Sequence, residues 1–402
     1  MNSMTSKLMD NFVFKHYAYN CKRNKRIWIV LTVLNAIGFP LFNLTALDNN
    51  GMGIITVISI MSQIAACASG IFLVYSSFDY LYNKSLVDMA FSAPLTSSQR
   101  FWSNFASGLT VYLSPYIGGC ILGCVIGSFV SLTDTGKEAF QSFPVFPTMM
   151  QLMTVVLLAM IMLYVMTLLV VVCCGNLFES VAYTIVINAI IPIAISVTVF
   201  ASLMNIFGLN NDSLAMDLIS FTSPFGIIMG IVYLEFGGAY TPYAAESYSL
   251  GIWQLRYILP IVLTIAAIVA LSFLLFKRRK AEHTGRPFVF KLIYYILISA
   301  VTYSIIALFF GIDESVEAFF GAIILSSIVY LIAEVITNRG FKRFGWSVLR
   351  YTVTIALSSL FILVLRNTNL FGFETRLPSA NNIKYAEVSY SGYYNNFGLP
   401  SV

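Results

Sequence analysis

The sequence predicts an all-α polytopic membrane protein, and three observations support that fold class. Residues 54–78 form 25 consecutive positions without a charged side chain. The hydrocarbon core of a bilayer is about 30 Å thick and takes roughly 20 helical residues to cross. The chain is also 58% hydrophobic and only 10% charged, whereas soluble domains carry about 25% charged residues. Finally, the basic residues collect in alternate loops, as a membrane topology requires.

Nine apolar segments are expected to span the membrane. The first run starts at Ile27 and lacks a small-residue cleavage site, which predicts a retained span rather than a signal peptide. The predicted spans cover residues 27–47, 54–78, 105–132, 149–174, 181–207, 252–276, 292–311, 318–336 and 347–365.

The distribution of lysine and arginine predicts the orientation. Cytoplasmic loops carry an excess of these residues. With the amino terminus inside, the inner segments hold 18 of the 23 basic residues and the outer segments hold 5. We therefore expect a multi-pass protein of the cell (plasma) membrane with a cytoplasmic amino terminus and an extracellular carboxy terminus. The net charge of +5 follows from this topology and does not indicate a nucleic-acid partner.

The same pattern divides the chain into five parts. These are an amino-terminal segment (1–26), a six-span core (27–276), a basic linker (277–291), three additional spans (292–365) and an external tail (366–402). The linker acts either as a stop-transfer anchor or as a site for anionic lipid. The tail has about 37 residues, too few to bury a core of its own. It either packs on the membrane part or belongs to a longer protein.

The amino-terminal segment predicts an amphipathic helix at the membrane interface. Ser6 is a candidate N-cap for a helix that begins at Lys7. Phe12 lies on the apolar face of this helix, and Lys15 and Lys22 lie opposite. A helix with such a pattern is expected to lie flat on the inner leaflet.

The inner loop between spans 2 and 3 predicts a helix, a proline turn and a second helix. We call residues 79–104 the knob. A short helix is expected over residues 83–91, and Pro94 ends it. Thr96 and Gln99 form a capping box that begins the next helix. The knob suits docking against a cytoplasmic protein, and the alternative is a plain connector.

The connection between spans 4 and 5 predicts a very tight turn. Gly175 and Asn176 both tolerate left-handed backbone angles and are expected to end span 4. Glu179 then lies near the start of span 5, where the helix dipole favours a carboxylate. Contact with a partner protein is the other interpretation of Glu179.

Residues 223–237 predict a re-entrant segment before span 6. Ser223 can cap a helix, and Pro224 suits its first position. The apolar run that begins at Phe225 is only about 12 residues long, too short to span a bilayer.

Span 3 contains three glycines at a spacing of four: Gly119, Gly123 and Gly127. Small residues at this spacing let two helices approach closely. Packing within the chain and a dimer contact both fit the pattern.

The sequence offers no chemistry typical of an enzyme. It contains no Gly-x-x-x-x-Gly-Lys-Ser/Thr loop, no HExxH and no GxSxG motif. Its six cysteines do not predict a disulfide framework, and its two histidines do not give metal-ligand spacing. No span has an ionisable residue at its centre, and Glu334 lies near the inner end of span 8, which argues against an ion-coupled transporter. We expect no enzymatic activity, no metal site and no cofactor in this chain.

The order of these features resembles the permease of ATP-binding-cassette (ABC) transporters of the type-2 (type V exporter) class. Residues 92–101 resemble the small-Leu-Pro-x-x-Arg…Phe loop of that class, with Ala93 where leucine is usual. The Gly175-Asn176 pair resembles its turn after span 4, and residues 223–225 resemble its Ser-Pro-aromatic start of a re-entrant helix. The resemblance covers residues 1–280. The last three spans and the tail are typical of a subgroup with added spans.

This resemblance implies that the chain is the permease subunit of an ABC transporter, with export as the expected direction. It would pair with a second permease, as a homodimer or heterodimer, and with separately encoded subunits that bind ATP and Mg. Substrate would pass between the permeases along spans 1, 2 and 5. The rival hypothesis is a non-transporting membrane sensor or assembly protein with a ligand-binding tail. The implied ATPase-coupling interface comprises Asp79, Lys84, Asp88, Pro94, Thr96, Arg100, Phe101, Gly175, Asn176 and Glu179.

Overall fold

The structure is a computed structural model, and all the regular elements of the residues that it describes are helices. This confirms the predicted all-α class. The described residues are 2–45, 54–130, 132, 145–203, 219, 222–224, 226–227, 255–280, 282, 284–285, 288–312, 315–338, 340 and 344–368. The helices are α1 (Asn2–Arg23), α2 (Lys25–Thr45), α3 (Ile54–Ser77), α4 (Lys84–Ser92), α5 (Ser97–Val130), α6 (Val145–Cys173), α7 (Leu177–Leu203), α8 (Leu255–Arg278), α9 (Lys291–Ile312), α10 (Val316–Asn338) and α11 (Phe344–Asn367).

Seven of these helices, α5 to α11, contain apolar stretches long enough to cross a membrane, which indicates a multi-pass membrane protein. The helices α2 and α3 occupy predicted spans 1 and 2 and are 21 and 24 residues long. The total of nine spans stays a prediction, as do the sidedness and the choice of membrane. The tail beyond residue 368 lies outside the described residues.

One predicted helix start is wrong. α1 begins at Asn2, so Ser6 lies inside the helix and does not cap it. The helix that follows the knob's proline turn runs into span 3, as predicted, and forms one helix of 34 residues, α5, which contains Pro115.

The centre of the bundle is α6. Within the stretch Val156–Cys173, 78% of the residues are buried, against 11–39% in the other six candidate spans. α6 packs against α3, α5, α7 and α8. Lipid and protein are equally apolar surroundings for such a helix, so its central position is a property of the packing and not of its hydropathy.

The amino-terminal half packs closely because glycines face aromatic rings. α2 has its most extensive contact with α5. At Gly108 in α5, an added Cβ would overlap the hydroxyl of Tyr164 in α6 and lie 2.9 Å from the Ser77 hydroxyl. The three glycines predicted for helix packing, at 119, 123 and 127, are buried within the chain. This favours packing within the chain, and contact with a second chain stays a prediction.

The three additional spans form a unit that packs on the core. We call α9–α11 the C-terminal unit. α9 lies against α7 over an extensive contact, and α11 also touches α7. The Thr198 and Tyr303 hydroxyls are 2.6 Å apart across the α7–α9 contact. The predicted boundary at the linker is therefore not a boundary between separate bodies.

Alternating helix directions bring several connections to one end of the bundle. That end carries α1, α4, the α6–α7 turn (173–177), the described part of the linker and the start of α11. Exposed cationic side chains lie here, and we call it the basic end: Lys22, Lys25, Arg26, Lys84, Lys277, Arg278, Lys280 and Lys291. Trp28, Trp102 and Trp346 are 40%, 45% and 64% exposed at the same end, as in an interfacial aromatic belt.

The glycine contact in α5 leads to a stability prediction. Gly108→Ala should destabilise the protein by about 1–3 kcal/mol because the new methyl group overpacks a buried contact. Gly118→Ala is the matched control, since nothing lies within 4 Å of its added Cβ. Thermal unfolding of the detergent-solubilised proteins measures the difference. Equal melting temperatures for the two variants would contradict the close approach of α5 and α6.

Candidate functional site

The knob has the predicted helix–proline–helix form. Asp79–Leu81 forms a single 3₁₀ turn, and Asn83 caps α4 by accepting a hydrogen bond from the Ser85 amide. The capping box is confirmed, because the Thr96 amide donates to Gln99 Oε1 at 3.0 Å. The Gln99 amide in turn donates to Thr96 Oγ1 at 3.3 Å. These short-range bonds fix where α4 and α5 begin.

Two predicted interface residues lie inside the knob. Arg100 is 3% exposed, its guanidinium donates to the Leu95 carbonyl at 3.2 Å, and it lies 4.5 Å from the centre of the Phe91 ring. Phe101 is fully buried, and its ring centre is 5.3 Å from that of Phe276. Neither residue is therefore exposed on the surface of the knob, and their part in the coupling interface stays a prediction. Both residues hold the knob against the bundle. Burial of the Phe101 ring and stacking of the Arg100 guanidinium on the Phe91 ring stabilise this arrangement.

Other predicted residues do form the outer surface of the knob. Lys84, Asp88, Pro94 and Thr96 are exposed. Asp79 is half-buried and forms an ion pair with Arg23 at 3.2 Å. The accessible part of the predicted interface is therefore α4 and the proline turn.

The α6–α7 turn is as tight as predicted but is built differently. Among the described glycines, the left-handed backbone occurs at Gly285 (φ 85°) and Gly340 (φ 137°). The helix ends just before Gly175, as predicted, but Gly175 itself does not adopt the left-handed backbone that it tolerates. Cys174 instead pairs with Phe288 as an isolated β-bridge, and the Gly175 carbonyl accepts a hydrogen bond from the Gly285 amide at 2.7 Å. The linker thus supplies the partners that a left-handed cap would have supplied.

Arg279 is the residue that joins these pieces. It directly follows α8 and is 7% exposed. Its Nη1 lies 2.8–3.0 Å from the carbonyl oxygens of Val171, Val172 and Cys174. Its Nη2 donates to the Leu81 carbonyl at 2.8 Å. Burial lowers the pKa of Arg279, and the carbonyl dipoles at the end of α6 compensate its charge. The sequence shows Arg279 only as one of four consecutive basic residues, so no local signal distinguishes it.

The first turn of α7 is tied to the knob as well. The Tyr82 hydroxyl donates to Ser180 Oγ at 2.8 Å. Burial raises the pKa of Tyr82 well above its ordinary value, so this phenol stays a hydrogen-bond donor at neutral pH. Glu179 lies in the first turn of α7 as predicted, and Asn176 is partly exposed.

Sequence reasoning missed Phe178. Its side chain is 81% exposed, the highest value among the large hydrophobic residues that the structure describes, and Leu177 beside it is 50% exposed. Met89 on α4 is 68% exposed. An aromatic residue between the glycine turn and Glu179 was the available signal. Exposed apolar side chains next to charged ones are typical of a docking surface.

α1 joins the same end through polar contacts. His16 Nδ1 is 2.8 Å from Ser103 Oγ, and Asn20 donates to Asn104 at 2.6 Å. Asn104 then donates to the Tyr80 hydroxyl at 3.3 Å. Phe12, Lys15 and Lys22 are exposed. The face of α1 that docks is therefore polar, and its place on the leaflet stays a prediction.

A second buried polar cluster joins the helices of the C-terminal unit. Glu334 is 4% exposed and accepts hydrogen bonds from Tyr294 at 2.9 Å and from Ser347 at 2.7 Å. Arg350 lies 3.6 Å from the same carboxylate and 4.4 Å from the Tyr295 ring centre. Each carboxylate oxygen has a partner, so the cluster holds α9, α10 and α11 together. Within the described ranges, no group of acidic, histidine or cysteine side chains is arranged to hold a metal ion.

The predicted re-entrant segment is described only at its start. Ser223 and Pro224 are buried, and Ile227 packs against α6 and α8. The Ser223 hydroxyl has no hydrogen-bond partner within the described residues, so its capping role is not observed. Phe225 lies outside the described residues, as does the rest of the segment to 237.

No family model matches the chain, and neither a curated protein nor a solved structure matches it. The functional assignment therefore depends on the geometry of the basic end and on the sequence resemblance.

The pKa of His16 leads to a pH prediction. Burial, with added effects of Arg100 and Arg23, lowers this pKa from 6.5. The docked state thus binds fewer protons than the undocked state just below pH 6.5, and its stability falls on acidification. We expect hydrogen exchange of residues 12–23, corrected for intrinsic rates, to increase as the pH falls from 7.5 to 5.5. His16→Asn should remove this dependence. Equal protection of the wild type at both pH values would contradict it.

Proposed function

We propose that the chain is the permease subunit of an ABC transporter and that a separately encoded ATPase docks on its basic end. The observation that carries this proposal is the convergence of the knob, the α6–α7 turn and the linker on Arg279. These three pieces present an exposed surface from a connected frame. ATP and Mg would be bound by the partner, and this chain would contribute no catalytic residue.

The surface has the composition expected of a docking site. α4 lies outside every candidate span, yet Met89 is 68% exposed and Phe91 is 41% exposed. Lys84 and Asp88 lie exposed on the same short helix. Apolar anchors with a charged rim are typical of specific protein interfaces. Phe178 adds a second anchor at the start of α7.

The contacts behind this surface connect it to the spans. Phe101 packs against Phe78 at the end of α3 and against Phe276 in α8. Tyr82 reaches Ser180 in α7. A displacement of the knob would therefore act on α3, α7 and α8 together. Transport would require two arrangements of these helices whose populations depend on the nucleotide state of the partner. Export and a permease dimer belong to this proposal.

Purification of the complex tests the partner. The wild-type chain, extracted in a mild detergent, should co-purify with an ABC ATPase that mass spectrometry identifies. Phe178→Gln combined with Met89→Gln should reduce recovery of that ATPase at least about tenfold, since two anchors are worth more than 1.4 kcal/mol. Leu132→Gln is the matched control, because Leu132 is 70% exposed just beyond the other end of α5.

The rival hypothesis, a non-transporting sensor or assembly protein, makes the opposite prediction. A monodisperse wild-type protein that recovers no ATPase from its native membrane would contradict our proposal. Equal recovery with the double variant and with Leu132→Gln would exclude this docking surface.

A second experiment tests the knob as the coupling element. In the reconstituted complex, Pro94→Ala should retain ATP hydrolysis but lose the ATP-dependent change in hydrogen exchange of α7, because the turn no longer sets the angle between α4 and α5. Arg100→Glu should behave similarly and also loosen the knob, since it places an acid against the Leu95 carbonyl. A wild-type nucleotide response in both variants would show that the knob does not couple.

A further inference from the structure

The strongest contact outside the predicted interface is the buried guanidinium of Arg279. It binds backbone carbonyls from two segments that are about 90 residues apart in sequence, one before α4 and one at the end of α6. Arg279 does not take part in the ion pairs seen among the described residues, which join Arg23 to Asp79 and Arg350 to Glu334. Its partners are therefore main-chain groups, which side-chain substitutions elsewhere cannot remove.

Backbone pairing continues this contact along the linker. The Gly285 amide donates to the Gly175 carbonyl at 2.7 Å, and the Val289 amide donates to the Cys173 carbonyl at 2.8 Å. The Phe288 side chain is buried, and its ring centre is 4.4 Å from that of Tyr183 in α7. Gly285 has a φ of 85°, a backbone angle that other residues adopt at a cost.

The linker leads directly into a unit that is held to α7. Leu297 and Ile298 of α9 pack in one cluster with Ile187 and Ile190 of α7. At the basic end, the Tyr183 and Thr337 hydroxyls are 3.0 Å apart and join α7 to α10. The C-terminal unit therefore contacts α7 both at the basic end and along its length.

We propose that Arg279 is a positioning residue that joins the knob, the α6–α7 turn and the C-terminal unit into one mechanical body. The C-terminal unit then supports the docking surface from behind. We call this connection, through Arg279 and the linker, the brace. A displacement of the α6–α7 turn must move the linker and α9 as well, or it must break the hydrogen bonds of Arg279. The consequence for transport depends on the proposed function, whereas the mechanical connection does not.

Lysine cannot replace Arg279 in this role. The guanidinium presents five N–H donors in a rigid fork, so it reaches the Leu81 and Cys174 carbonyls at the same time. A lysine ammonium has three donors on one atom. Arg279→Lys therefore keeps the charge but loses the hydrogen bonds to one of the two segments.

Hydrogen exchange of the protein in nanodiscs tests the brace. Arg279→Gln should speed exchange about tenfold or more in both 79–92 and 171–176, because bonds to a charged donor are lost from both segments. Arg279→Lys should restore protection in only one segment. Arg278→Gln is the matched control, since Arg278 is exposed, and it should change neither. Equal exchange in Arg279→Gln and Arg278→Gln would overturn the proposal.

A second variant keeps the test decisive if Arg279→Gln loosens the whole protein. Gly285→Ala strains the linker and leaves Arg279 intact. It should speed exchange in 171–176 and leave 79–92 unchanged. No change in 171–176 would overturn the brace.

Nucleotide experiments separate the brace from the proposed function. With a co-purified ATPase, Arg279→Gln should retain ATP hydrolysis and lose the ATP-dependent exchange change in α7. If no ATPase partner is found, the proposed function fails, while the exchange pattern of the isolated chain still decides the brace.

Discussion

The carbonyl oxygens at the end of α6 set the constraint on which the basic end depends. A helix leaves its last four carbonyls without partners inside the helix, and a left-handed glycine or water usually satisfies them. Here the end of α6 and Gly175 are buried, and this glycine is not left-handed. Arg279 and the linker amides supply the donors instead. This solution ties the end of the central helix to α8, to the linker and to the knob.

Polar contacts also decide how an apolar bundle is arranged. Lipid is as apolar as a leucine side chain, so hydrophobicity alone does not select which helices pair. Close approach at Gly108 and hydrogen bonds between helices provide the selection. Many of these bonds lie at the basic end, including Tyr82 with Ser180 and Glu334 with Tyr294. These bonds connect the helices at the basic end, within the part of the chain that the structure describes.

The functional proposal follows from this distribution of contacts. A surface that receives force from a partner must be exposed at its front and fixed from behind. Phe178 and Met89 meet the first condition, and Arg279, Arg100 and Phe101 meet the second. The C-terminal unit, which the resemblance treats as an addition to a six-span core, belongs to the fixed part because its linker pairs with the α6–α7 turn.

The sequence by itself determined the features that depend on neighbours along the chain. Charge-free runs specify apolar helices, and the box formed by Thr96 and Gln99 specifies where α5 begins, because its hydrogen bonds join residues three apart. The alternation of basic loops likewise predicted which helix ends share one end of the bundle.

Only the tertiary structure decided which side chains face inwards. Hydropathy does not separate a buried span from an exposed one, since α6 and α8 are about equally apolar, so the central place of α6 could not be predicted. Arg279 differs from Arg278 and Lys280 only in its contacts with residues more than 100 positions away. The same reason applies to the burial of Arg100 and Phe101, and to the left-handed backbone, which occurs at Gly285 and not at Gly175. Burial depends on distant neighbours, and a local pattern does not record them.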